Sequence, residues 1–391
     1  MPSGSHPDVL VIGGGIIGLA VAWRTARRGL RNVIVVDPEH GHGAAGVAAG
    51  MLAPVTELQY GEEPLLRLGM ASNERYQGFA AELTEASGGL DTGYRRCGTI
   101  AVAQDSDDRA ELRELHAFHR RLGLDSTWLT GREARKLEPM LAPGVRGGLH
   151  VADDHQVDPR RLLVALSAAC ERAGVLLHRA EAVELLVEDG RATGARLSTG
   201  ETVSAGQVLL AAGPHSHRLP GLPEGVLPAI RPVKGQILRL RVPDAYRPFL
   251  SRNVRAVVRG RHLYVVPREN GELVVGATTE EQGYDTTVTA GGVYELLRDA
   301  HELIPGITEL PLVETAAGLR PGSPDNAPLL GPTSLPGLVA ATGHYRNGVL
   351  LTPVTADLLS EYLTTGELPD PAQPFTPTRF SPARLSTKAS A

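Results

Sequence analysis

A chain of 391 residues is long enough for two or three domains with an ample core. Its formal net charge of -5, with 21% charged residues, is an ordinary soluble balance, without the basic excess that nucleic acid or an anionic membrane would ask for. No apolar run is long enough to span a bilayer, and Cys97 and Cys170 lie too far apart for a metal or redox motif, so a reduced, cytoplasmic setting with no bound metal is expected.

Residues 1–7 are short and polar and read as a frayed end. Next, Val9 to Ile12 form an apolar run that stops at Gly13, Gly14 and Gly15, and Gly18 follows. Leu19, Ala22, Trp23 and Ala26 then recur at helical spacing, and a second apolar run, Val33 to Val36, ends at Asp37. Strand, glycine turn, helix, strand and acid make the fingerprint of a dinucleotide-binding βαβ unit. Gly13 permits the tight turn, Gly15 lets the backbone approach a pyrophosphate, and Gly18 lets helix and strand lie close. The phosphates would sit at the positive N-terminal end of the helix. Asp37 can accept from ribose hydroxyls and would repel a 2′-phosphate. The stretch is too short and glycine-rich for a membrane helix and lacks the basic segment of a signal peptide. At this point NAD and FAD both remain open.

Downstream, residues 44–51 are rich in Gly and Ala, and such small side chains let a chain pass close to a bulky flat ligand. The spacing predicts a helix over 65–87, a strand over 97–102 and a charged surface helix over 107–122. Thr130 and Glu133 form a capping box for another helix, and 147–151 reads as a strand. Asp158 and Pro159 suit the start of a helix reaching 173. His150 and His155 lie near Asp153 and Asp154 without regular ligand spacing, so no metal is expected there. Short strands follow over 175–178, 182–188 and 192–198. The apolar run from Gln207 exits at Gly213, which suggests that the nucleotide-binding domain resumes there; His215 and His217 read as polar loop residues. Between 235 and 277 four strands alternate with turns, a largely antiparallel pattern. A helix is expected over 293–303 and a strand over 314–319, followed by a turn-rich loop bearing Arg320. A strand over 338–341 leads into Thr342 to Gly348, and a last helix should begin between Asn347 and Thr352. After Gly366 the Pro-, Ser- and Thr-rich tail should be disordered.

The fold class expected is α/β: a Rossmann-type domain, discontinuous in sequence, plus a smaller, mostly antiparallel β-sheet substrate domain. The first would comprise 8–90, 150–225 and 320–365, the second 91–149 and 226–319, with 366–391 as a flexible tail.

Four segments together resemble the D-amino-acid oxidase superfamily of FAD enzymes, and within it the glycine oxidase (ThiO) type of thiamine biosynthesis. They are IGGGIIG at the start, VAAGMLAP over 47–54, YVVPR with VVGAT over 264–278, and AGLRPG with GHYRNG over 317–322 and 343–348. The resemblance implies an FAD site with contacts from Ile16 and Ile17 after the glycines and from Asp37 and Pro38 at the ribose. It adds Ala44 and Ala45, then Ala49, Gly50 and Met51 beside the flavin, and a backbone contact at Val183. The loop His344, Tyr345, Arg346, Asn347, Gly348, Val349 and Leu350 would pass the pyrimidine edge of the ring. A helix N-terminus there would put positive potential where reduced flavin is negative.

On the substrate side the resemblance assigns Arg320 to the amino-acid carboxylate, a match of fork to carboxylate that lysine lacks. Tyr264 would reach the same carboxylate, and Arg346 would act near substrate and flavin through its backbone carbonyl. Two departures stand out. Ala44, Ala45 and Gly46 replace a hydroxyl-rich stretch of some relatives, and no cysteine lies near Arg320, which implies non-covalent FAD. The implied reaction is oxidative deamination of glycine, with sarcosine or small D-amino acids as further substrates, to glyoxylate, ammonia and hydrogen peroxide with dioxygen as acceptor. A homo-oligomer is compatible with this reading. Its rivals are a D-amino-acid or sarcosine/proline oxidase or dehydrogenase, a non-catalytic flavoprotein, and an NAD-dependent dehydrogenase.

Overall fold

The computed structural model describes residues 6–30 and 32–381. Its organising layer is a six-stranded sheet in which β1 (Val9–Ile12) lies between β2 (Val33–Val36) and Gln207–Leu210. The full order is Leu329–Pro332, Leu338–Thr342, Gln207–Leu210, β1, β2, Leu176–His178, parallel throughout except for the first pair. Strands more than a hundred residues apart in sequence thus lie side by side, with Val9 opposite Gln207 and Val208 opposite Leu338. The expectation that the nucleotide-binding unit resumes at Gln207 is met by this pairing.

Both faces of the sheet are covered, which is why its strands are apolar at every position. Val9, Val11, Val33 and Val35 point to a helical layer, while Leu10, Ile12, Ile34 and Val36 point to the other side. The helical layer contains α1 (Ile16–Arg27) and the helices Glu63–Ala86, Pro159–Arg172 and Thr352–Thr365. Trp23 of α1 is fully buried, edge-on to Phe79 at 5.6 Å between ring centroids. Truncating Phe79 to Ala would cost about 3–5 kcal/mol by the usual cavity penalty. The other face is covered by a three-stranded antiparallel sheet of Ala182–Glu188, Arg191–Leu197 and Thr202–Ser204.

A second, eight-stranded sheet runs Leu312–Gly322, Arg231–Arg241, Glu272–Gly276, Arg261–Pro267, Asn253–Val258, Thr99–Ala103, Gly147–Val151, Thr127–Thr130. All its pairs are antiparallel except Asn253–Val258 with Thr99–Ala103. The helix Ala290–Leu303 packs on it through Leu296, Ala300 and Leu303. A short ladder of Met51–Leu52 with His155–Gln156 ties the segment after the Gly/Ala stretch to the chain ahead of Asp158. Asp158 caps the helix that starts at Pro159, and Thr130 with Glu133 forms the expected capping box.

Several expectations need correction. The boundaries at 149/150 and 319/320 fall inside the strands Gly147–Val151 and Leu312–Gly322, so both strands stay with the antiparallel sheet. Arg320 therefore stands on a strand, not in a turn-rich loop. The strands Thr127–Thr130 and Leu329–Pro332 were hidden by turn residues around them. The tail is ordered as far as it is described: Asp370–Phe375 and Pro377–Phe380 form 3-10 turns. Phe375 is buried, and Arg379 grips Asp325 through Nε at 2.9 Å and Nη2 at 2.8 Å. One aromatic anchor and one two-bond ion pair outweigh the composition. Residues 1–5 and 382–391, where a frayed start and a disordered end were expected, lie outside the described residues. Among the described residues no helix is long and apolar enough to cross a membrane.

Candidate active site

Between the two large sheets runs a cavity of about 2120 Å³. Ordinary small-ligand pockets are roughly 300–1,000 Å³, so there is room for a dinucleotide and a small second ligand together. One end is walled by Gly13, Gly15, Ile16, Ile17, Asp37 and Pro38, and the middle by Ala44, Ala45, Ala49, Gly50 and Met51. The far end is walled by Tyr264, Arg320, His344, Tyr345, Arg346, Gly348 and Val349. Four expected residues are absent from the wall. Gly18 serves packing instead, since a Cβ there would meet Gly13 O at 1.9 Å. Asn347 and Leu350 face a separate recess of about 20 Å³. Val183 is flanked by Glu181 and Ala182, which do line the cavity. There the pairing steps from Ala182↔Leu197 to Glu184↔Arg196, making Val183 the extra residue of a β-bulge, whose backbone is free of the ladder.

At the nucleotide end Gly13 has φ +112, and a Cβ there would lie 2.4 Å from Ala211 O, so the turn admits only glycine. Gly15 faces open space, leaving its backbone accessible to a phosphate. No acid sits in the first turn of α1 to compete for the amides. Asp37 accepts from Gly14 N at 2.7 Å and from Glu39 N at 2.8 Å, and each oxygen keeps a lone pair for a ribose hydroxyl. In the middle, the amides of Ala49 and Gly50 donate to no protein acceptor among the described residues, although Ala49 is buried. Buried amides are seldom left unpaired, so a ligand acceptor fits this stretch. The residues present thus suit a flat dinucleotide such as FAD.

The loop after Thr342 is fixed from behind. Tyr76 donates to Val349 O at 2.9 Å, Ser72 to Leu350 O at 2.6 Å, and Thr352 Oγ1 to Gly348 O at 2.9 Å. Burial holds the Tyr76 phenol well above its ordinary pKa, so it stays a donor. His344 is buried with Nε2 at 3.1 Å from Thr355 Oγ1, and burial pushes its pKa down to about 3; it is neutral.

At the far end Arg320 donates to Thr278 O at 3.1 Å and Lys234 O at 3.4 Å, and among the described residues no carboxylate pairs with it. Its guanidinium lies flat on Gly235, where a Cβ would come within 2.5 Å of both terminal nitrogens. Tyr264 is seated in the same way over Gly276, with a Cβ there 2.4 Å from its hydroxyl. Burial raises the Tyr264 phenol and the Arg320 charge pulls it the other way, which marks the two as neighbours. A cation without a counter-ion and a phenol donor at one end of a cavity can hold a small carboxylate.

Arg346 differs from Arg320. Its side chain donates to Glu62 and to Glu57 O at 3.3 Å, and its Nε lies 4.0 Å from Glu57. That charge is already paired, which leaves the backbone to face the cavity. Glu57 also pairs with Arg255, the cross-strand partner of Tyr264. Sequence reasoning missed Glu57 and Arg255, because no spacing links a turn residue to a strand two hundred positions later. It also missed Asp154, buried beneath that turn, which accepts from Thr56 N and Oγ1, both at 2.7 Å, and from Val55 N at 3.3 Å. Burial raises Asp154 to about 7. No group of acids, histidines and cysteines among the described residues could hold a metal.

Compared with known proteins, residues 8–362 match the model of the DAO family, FAD dependent oxidoreductase. The bifunctional protein ThiO/ThiG of Nostoc sp. is 36% identical over 357 residues, which cover 91% of this chain and 52% of that protein. The chain therefore spans about half the length of such bifunctional relatives. Glycine oxidase of Geobacillus kaustophilus is 35% identical over 375 residues, covering 95% of this chain and 97% of that protein. A crystal structure of glycine oxidase from the same organism superposes with a TM-score of 0.87 at 34% identity, over 95% of this chain and 98% of that one.

Proposed function

The chain belongs to the DAO family of FAD dependent oxidoreductases, and from that premise we propose that it oxidises glycine to glyoxylate, ammonia and hydrogen peroxide, with dioxygen and water as co-substrates. Sarcosine and small D-amino acids are secondary substrates in this reading, and the product enters thiamine biosynthesis. The observation that carries it is the Arg320 guanidinium, exposed to the cavity with carbonyl partners only.

Arg320 takes the substrate carboxylate in a two-bond ion pair, and Tyr264 donates its hydroxyl to the same group. Gly235 and Gly276 supply the flat floor that keeps both side chains in place. With the carboxylate fixed, the α-carbon is held in one orientation, and this accounts for much of the rate in a reaction between two bound partners. Non-covalently bound FAD supplies the two-electron oxidation. The amine reacts uncharged, and the backbone at Arg346 receives it. Glu57 is tied to Arg255 and Arg346, so it is no free base. The names of the glycine oxidase and ThiO relatives support the substrate and the pathway.

The test is peroxide release from the purified holoenzyme with glycine, sarcosine, D-alanine and D-proline. Glycine should give the highest kcat/KM. A dominant response to a bulky D-amino acid would overturn the assignment.

A further inference from the structure

The stretch from Ala44 to Met51 carries no hydroxyl side chain, yet it walls the middle of the cavity. Whatever it offers a cofactor must come from its backbone, and three arginines hold that backbone, Arg160 at the cavity's edge and Arg239 and Arg268 from outside its wall. Arg160, from the helix Pro159–Arg172, donates Nε to Gly46 O at 2.9 Å. Arg239, from the strand Arg231–Arg241, donates to the same oxygen at 3.4 Å. Arg268, which follows the strand Arg261–Pro267, donates to Ala49 O, to Val157 O at 3.0 Å and to Gln156 Oε1 at 2.6 Å.

The three differ in their counter-charges. Arg160 makes a two-bond pair with Glu314. Arg239, almost completely buried, pairs with Glu272 at 2.6 Å and lies 3.6 Å from Glu314. Arg268 is buried too, but all three of its acceptors are neutral. No carboxylate touches it, and its charge is only partly offset by Asp158 and Glu272 farther off, which makes it costly to bury. Burial lowers the Arg268 pKa to about 10, which leaves it charged at neutral pH.

Next to the carbonyl that Arg268 holds are the two open amides, those of Ala49 and Gly50. Gly50 has φ +74, its carbonyl accepts from Val157 N at 2.9 Å, and a Cβ on it would lie 2.1 Å from Val157 O. With Ala49 O engaged on the protein side, the plane of the Ala49–Gly50 peptide is set, and the Gly50 amide points the other way.

We propose that Arg160, Arg239 and Arg268 form a brace for the Ala44–Met51 wall, and that Arg268 is a positioning residue for the flavin. It keeps the Gly50 amide turned to the cofactor and places a positive charge without a direct ion pair behind it, which favours the electron-rich reduced form over the oxidised one. The brace takes over the work that hydroxyl side chains would do in this stretch. The inference rests on FAD binding and not on the choice of amine.

The experiment uses holoenzyme of wild type, R268K, R268Q and R160Q, with two readouts: the FAD dissociation constant and the two-electron reduction potential. R268Q should raise the dissociation constant about tenfold or more, as expected for losing charged hydrogen bonds in a buried site. Its potential should fall, by ~30 mV for each tenfold loss of preference for the reduced form. R268K keeps the charge but, with a compact ammonium in place of the fork, cannot span three acceptors. It should hold the potential near wild type while still binding FAD more weakly. A merely structural arginine would give R268K and R268Q the same potential, and that result overturns the proposal. If R268Q fails to fold, R268K and R160Q decide it, because Arg160 is partly exposed and its loss leaves the core intact. Dissociation constants within about twofold of wild type in both would sink the brace. A wild-type protein that holds no FAD would instead sink the cofactor reading, and this inference with it.

Discussion

Gly235→Ala is the sharpest perturbation of the carboxylate clamp, because it leaves every charged group in place. A Cβ at Gly235 would sit 2.5 Å from both terminal nitrogens of Arg320 and 2.6 Å from Cζ. Ordinary contact begins near 3.4 Å, so the guanidinium must retreat by about 1 Å (3.4 minus 2.5). Gly235 lies in a strand without positive φ, and what it displaces is the end of a flexible side chain, so the fold should tolerate alanine. Function should not. Displacing one charge-assisted pair costs about 1.5–3 kcal/mol, or roughly 10–150-fold in kcat/KM, and a 1 Å misplacement alone can cost about a hundredfold. The assay is steady-state peroxide release with glycine, together with the visible absorbance of bound FAD and the melting temperature. Expected is a loss in that range, mainly through KM, with FAD and Tm retained; R320A, which deletes the charge, should lose at least as much. A G235A enzyme within about twofold of wild type would refute the clamp geometry.

Two further predictions concern the frame of the site. Tyr76→Phe removes the shorter of two hydrogen bonds to Val349 O, leaving the one from Thr352 N at 3.3 Å, at a cost of about 0.5–1.5 kcal/mol; denaturant unfolding should show that loss and equilibrium dialysis a weaker hold on FAD, whereas unchanged values would mean that the loop stands on its own. Asp154 titrates near 7 in the fold against 3.8 for the ordinary group, so its protonated form is the one the fold prefers. Its contribution to stability is present at low pH and is lost as pH rises from about 4 to 7, at up to about 1.4 kcal/mol per pH unit. Wild type should therefore lose stability relative to D154N as pH rises across that window, and a constant difference from pH 5 to 8 would contradict the assignment. His344 and His119, lowered to about 3 and about 4, act in the opposite sense as pH falls below 6.5 but are common to both proteins and cancel.

What could be read from the sequence was what local spacing encodes. Gly13, Gly15, Gly18 and Asp37 have fixed separations, and each stands in the structure in a role its chemistry allows. The alternation of the antiparallel sheet and the caps at Asp158 and Thr130 were legible for the same reason. Arg320 and Tyr264 were found through resemblance, and nothing local says that each lies flat on a glycine of a neighbouring strand. The roles of Glu57, Asp154 and Arg268 were not legible, because they lie in partners about a hundred to two hundred residues away. Composition misled most at the tail, where Phe375 and Arg379 hold a segment that looked disordered.

The placement of Leu338–Thr342 beside Gln207–Leu210, with β1 on the far side, has a consequence for how the protein comes into being. During synthesis the ribosome must pass Leu350 before the strand order can close and the loop from His344 to Leu350 can take its place. A nascent chain can form the glycine turn early, yet it has no complete pocket to offer until the loop and the helix Thr352–Thr365 emerge. Pairings of such long sequence separation are slow to form and leave sheet edges exposed meanwhile. FAD captured at that last stage acts as a seal on folding, and cells short of flavin should accumulate less of this protein as well as less of its activity.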